Sequence, residues 1–127
     1  MLFDQCRVDV ETEIQANWNE THVVYENEEL KYADEYIRPA IIYGESNQVT
    51  LGPSGTHRRL GVLVIQIFVK ENTGTRRIKF LADTLTPLFK SVKLGIIQFE
   101  SPTLIRVGQN NGYYQENFQV PFYVDIC

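Results

Sequence analysis

The chain is poor in groups that do chemistry. It holds two histidines, His22 and His57, and two cysteines, Cys6 and Cys127, in 127 residues. Neither histidine has a partner at the H-x-x-x-H spacing of a metal-binding helix. Neither cysteine stands in a C-x-x-C or Cys/His arrangement, so zinc and dithiol redox centres have no ligand set to draw on. A G-x-S-x-G elbow, a P-loop and a G-x-G-x-x-G turn are also missing, which removes the common nucleophile and nucleotide motifs. No apolar run approaches the ~20 residues that cross a bilayer, so no membrane segment is expected. Met1 to Cys6 lack the basic start and small-residue cleavage site of a signal peptide, and the expected setting is a reducing cytoplasm. Basic excess is absent too: 12 Lys and Arg face 16 Asp and Glu, a formal charge of -4. A dedicated DNA-binding face needs the opposite balance.

What is present is core-forming material. Hydrophobic residues make up 43% of the chain and aromatic residues 12%, enough for one compact domain over residues 1–127. From Leu60 to Val69 both alternating sets are mostly apolar, which predicts a central strand covered on both faces. A turn over Glu71 to Thr75 follows. Ile78, Leu81, Ala82, Leu85, Leu88 and Phe89 then fall on one helical stripe. Pro87 interrupts that stripe and predicts a kink or a break after Thr86.

The flanking segments complete an α+β pattern of two helices on a mixed, mostly antiparallel sheet with a C-terminal hairpin. Phe3, Cys6, Val10 and Ile14 recur at helical spacing from Leu2 to about Trp18. Thr21 to Tyr25 and Tyr36 to Tyr43 read as strands. Pro39 puts the second of these at an edge or a bulge, because it cannot donate a ladder hydrogen bond. Between them lies an acidic loop, with Glu26, Glu28, Glu29, Asp34 and Glu35 against Lys31 alone. Elsewhere eleven acids meet eleven bases. Gly44 to Gly55 is turn-rich around Gln48, Val49, Thr50 and Leu51, so it is either a mobile loop or an exposed hairpin arm. A strand over Gly95 to Phe99 precedes a hairpin of Thr103 to Val107 and Tyr114 to Ile126 around Gly108 to Gly112. In its last strand Phe118, Val120, Phe122, Val124 and Ile126 alternate with polar residues, which predicts one core face and one wet face.

Candidate chemistry is weak wherever it is sought. Gly52 to Thr56 has the composition of a phosphate loop but lacks its Lys and its following helix. The clustered acids have no apolar neighbours in sequence to raise a carboxyl pKa for acid or base work. Tyr113, Tyr114, Phe118, Phe122 and Tyr123 could form a base-stacking platform, but their alternation and the missing basic groove favour core packing. Arg58, Arg59, Arg76 and Arg77 are the only basic pairs. They read as solvated strand and helix ends or as a subunit contact. With Gln48, Val49, Thr50 and Leu51 they are the candidate contact residues.

Arg59 to Val69, then Gly74, Thr75, Arg76 and Arg77, then Leu81, Ala82 and Asp83, resemble the tail terminator (tail completion) proteins of long-tailed bacteriophages. The order of elements is similar over nearly the whole chain, and Pro87 is a local feature that the resemblance does not account for. The resemblance implies a structural virion protein without cofactor or catalytic chemistry. It would form a ring, typically a hexamer, that caps the head-proximal end of the tail tube, stops its polymerisation and meets the head connector. Such a ring is assembled in the host cytoplasm, and DNA passes its lumen without specific binding. Rival readings are a neighbouring head-tail connector protein and a cytoplasmic module that binds a peptide by strand addition at the Pro39 edge. An enzyme would need a concave site gathering His57, Arg58 and the acids.

Overall fold

The computed structural model describes residues 2–25, 35–48, 57–70, 75–90, 93–95, 97–110 and 112–126. Along the chain run α1 (Leu2–Asn17), β1 (His22–Val23), β2 (Tyr36–Gln48), β3 (His57–Lys70), α2 (Arg76–Phe89), β4 (Lys93–Leu94), β5 (Ile97–Phe99), β6 (Thr103–Asn110) and β7 (Tyr113–Ile126). The strands join in one sheet of order β1-β2-β3-β7-β5-β4, and β6 pairs with β7 beside β5. Only β1 and β2 run parallel; every other described pair is antiparallel. This is the expected α+β architecture, with β3 and β7 at its centre and β6–β7 as the terminal hairpin.

Helix stripes and strand alternation meet on one side of the sheet. Cys6, Val10 and Ile14 of α1 and Ile78, Leu81, Leu85 and Phe89 of α2 are buried with Leu63, Ile65, Ile67 and Val69 of β3 and Phe118, Val120, Phe122 and Val124 of β7. All eight residues expected in the core (Leu63, Ile65, Ile67, Leu81, Leu85, Phe118, Phe122 and Val124) are at most 2% exposed. Rings extend this core, with Phe89 on Phe99 and Phe99 on Phe122 in edge contacts at 5.3 and 5.9 Å.

Several expectations need correction. Cover of the central strand is complete on one face only: both helices spend their apolar stripes on the same side, while on the other Val64 and Phe68 are buried and Leu60 is 39% exposed. On the other side, Tyr36, Phe68 and Val24 form a separate small cluster, with Tyr113 packed against it. Pro87 lies inside α2 and does not break it. The helix continues to Phe89, and the Lys90 N–H closes its end on the Thr86 carbonyl at 2.8 Å. Pro87 is exposed and has no N–H to give to the Asp83 carbonyl, so one ladder bond is lost without ending the helix. The strand expected over Gly95 to Phe99 is shorter, β5 (Ile97–Phe99), and Gly95, at φ +59, lies in the turn between it and the two-residue β4 (Lys93–Leu94). Tyr113 and Tyr123 do not point into the core; register puts them on the helix-free face with Phe68 and Leu60.

The Pro39 reading holds. β1 meets β2 only at Tyr36 and Ile37, and at Pro39 β2 is paired with β3 alone. Its missing N–H therefore costs no ladder bond. Between mobile loop and hairpin arm, the described ladder supports the arm. β2 and β3 stay paired to Gln48 and His57, past an irregularity between Tyr43 and Ser46.

Candidate assembly surface

The contact residues named from sequence do not form one patch. Gln48, Arg58 and Arg59 lie at the arm end of β3, whereas Arg76 and Arg77 open α2 beyond its other end, roughly 40 Å away at ~3.3 Å per strand residue. Val49, Thr50 and Leu51 lie outside the described residues, as do Glu71 to Gly74, Cys127 and the acidic loop up to Asp34.

At the arm end, Arg58 lies over the Tyr123 ring with its guanidinium carbon 4.1 Å from the centroid. This cation-π contact keeps the charge on the helix-free face. Arg59 points to the other side, beside Tyr43 and Val124. Nearby, the Cys6 thiol and Tyr43 hydroxyl lie together beneath α1. Burial pushes both groups up from their ordinary pKa values, and Arg59 draws Tyr43 back in part. Glycines make room here. A Cβ on Gly61 would come within 2.5 Å of the Phe122 ring and 2.9 Å of the Ile42 carbonyl oxygen.

At the α2 end, the Arg77 Nε donates to both Glu35 oxygens at 3.1 and 2.9 Å. Its Nη2 reaches the Glu20 carbonyl at 3.4 Å. The hydrogen bond to Glu35 is the largest cause holding the guanidinium even more firmly charged than usual. For Glu35, the last acid of the acidic segment, the counter-charge comes from α2. Arg77 is thus committed within the subunit, while Arg76 is exposed.

One group escaped the sequence reading. Glu116 occupies a core-face position of β7, 1% exposed, opposite Ile67. It accepts the Lys79 ammonium at 2.6 Å and the Tyr114 hydroxyl at 2.9 Å. Its only sequence trace was a charge interrupting the inward set of the last strand, too little to name its partners on α2.

The helix-free face also carries apolar residues. Strand register places Ile42 of β2, Leu60, Val62, Val64 and Phe68 of β3, and Ile105 of β6 on it. Ile42 is 59%, Leu60 39% and Ile105 42% exposed. Val64 and Phe68 on the same side are only 8% and 6% exposed, so among the described residues the exposed apolar area is confined to Ile42 and Leu60 on one part of the face and Ile105 on another. Sequence missed the surface because a strand apolar on both sides looks the same whether its second cover is a helix or another molecule. Among the described residues, no group of three or more His, Cys, Asp or Glu is placed to hold a metal, and no helix is long and apolar enough to cross a membrane.

These features define an α+β domain with one sheet face covered by both helices and the other, among the described residues, exposed in part. No family model and no curated protein matches the chain. Solved structures do. One of them, whose name states no function, aligns over 98% of this chain and 96% of its own with a TM-score of 0.72 at 15% identity. At that identity the likeness establishes the fold.

Proposed function

We propose that this chain is a ring-forming structural protein of the tail terminator kind, non-enzymatic and without cofactor. As a ring, on the family pattern a hexamer, it caps the head-proximal end of a phage tail tube and meets the head connector. DNA passes through its lumen unbound. The observation that carries this reading is the open apolar sheet face: a chain with unlike exposed surfaces on its two sides is suited to heterologous contacts, which close into rings. The β2–β3 arm, with Gln48, Arg58 and Arg59 at its described end and Val49 to Leu51 beyond, is read as a second contact to a neighbour or to the tube.

A strand-addition module is favoured by one observation of its own, the outer edge of β2 beyond Ile37, with which no strand among the described residues pairs. Mass in solution, measured with and without tail-tube protein, separates the two. A ring-sized species and tubes blocked at one end are expected. A chain that stays monomeric and leaves tube growth unchanged refutes the terminator reading.

A further inference from the structure

We infer that neighbouring subunits join by strand pairing: the outer edge of β6 in one copy adds to the outer edge of β2 in the next, so that one sheet runs through both. This deepens the ring reading and rests on it for closure. Among the described residues no strand pairs with β2 on the side away from β3 beyond Ile37, and none pairs with β6 on the side away from β7. Backbone alternation says what each edge offers. The Ile37 carbonyl accepts the Val24 N–H at 2.9 Å, so Ile37 turns its polar groups away from β3, and Pro39 and Ile41 do the same. Carried across β3 and β7, the same alternation points the backbone groups of Leu104 and Arg106 outward from β6.

The two edges fit each other. β2, β3, β7 and β6 alternate in direction, so a second copy set beside the first with its helices on the same side meets it antiparallel. With Ile41 opposite Leu104, the two residues exchange both of their backbone bonds, and the Arg106 N–H donates a further one to the Pro39 carbonyl. Pro39 has no N–H to return, and the β6 ladder breaks at the same place, at the irregularity between Arg106 and Gly108. Side chains agree. Ile41 and Leu104 both pack against the helix-side core and extend it across the contact. Ile42, 59% exposed, and Ile105, 42% exposed, fall diagonally opposite each other on the helix-free side. Apolar residues exposed on an edge strand favour pairing with another chain, and main-chain bonds give such a contact its affinity. The edges lie at opposite ends of the sheet. A copy joined by one therefore leaves the other free, and the contact repeats head to tail.

Two variants test this by native mass spectrometry. Ile41→Pro takes the outward N–H from β2, and Arg106→Pro takes it from β6. Neither N–H serves a strand pair within the subunit, so both chains are expected to stay folded. Each alone is expected to be monomeric at concentrations where the wild type forms rings. Mixed, they are expected to form a 1:1 dimer and nothing larger, because each supplies one intact edge. Charge pairs at the exposed positions decide the matter where a proline unfolds the chain. Ile42→Lys with Ile105→Lys is expected to abolish rings, and Ile42→Lys with Ile105→Glu to restore them. Rings of wild-type size from either proline variant, or the same mass from both charge pairs, overturn the inference and leave the ring reading standing. A wild-type chain that stays monomeric with and without tube protein removes the ring reading as well.

Discussion

Lys79→Met isolates the cost of a buried carboxylate left without its cation. Glu116 is 1% exposed and holds two bonds, to Lys79 and to Tyr114. Removing one partner of a buried ion pair costs about 3 to 5 kcal/mol, because the remaining charge keeps its desolvation penalty and loses its attraction. Two features lower that figure here. The Tyr114 bond survives, and the Lys79 side chain is 53% exposed, so the ammonium is partly solvated and water can replace it. A loss of about 2 to 3 kcal/mol is expected. With ~2.1 cal/mol/K of unfolding entropy per residue, 127 residues carry about 0.27 kcal/mol/K, so Tm should fall by about 10 °C. The double variant Lys79→Met with Glu116→Leu removes both charges and is expected to recover at least half of the loss. Urea denaturation of the wild type, both single variants and the double variant completes the cycle. A Lys79→Met effect below about 0.5 kcal/mol, or additive single effects, would mean that Glu116 is already solvated or neutralised without Lys79.

Gly61→Ala should destabilise by about 1 to 3 kcal/mol, since the Ile42 carbonyl oxygen at 2.9 Å cannot move without shifting β2; an unchanged urea midpoint would show that the ladder yields freely. Cys6 supplies a pH dependence. Its thiol pKa is raised in the folded state, first by burial, so the folded chain binds the proton more tightly than the unfolded chain. The stability this gives is fully present below the unfolded thiol pKa of about 8.5 and is lost as pH rises through the folded value. Cys6→Ala should flatten the fall in stability above about pH 8.5 in denaturation curves taken across that range, and a parallel fall in the variant would assign it to other groups. The same burial should keep Cys6 from alkylation by a thiol reagent until the chain is unfolded.

Much of this molecule is local in origin. Apolar spacing in residues 2–18 and 78–89 was enough for both helices, and period-two alternation in β7 fixed its inward residues, because each pattern suits one backbone geometry and leaves one side to bury. The turn at Gly95 was harder, since a φ of +59 leaves no mark beyond the glycine itself. Pro87 signalled the loss of one ladder bond to the preceding turn, but whether the helix would end there depended on the packing of Leu85 and Phe89 on either side of it.

Sequence by itself therefore determined the α+β class, the core and the scarcity of reactive groups, all of which follow from residue type and near-neighbour spacing. Only tertiary structure decided which side of the sheet both helices would take, that Glu116 would meet Lys79 and Glu35 would meet Arg77, and that Ile42, Leu60 and Ile105 would share an open face. Those relations join residues far apart in the chain, and an apolar side chain carries nothing in its own identity to say whether a helix, a neighbouring strand or another molecule will cover it.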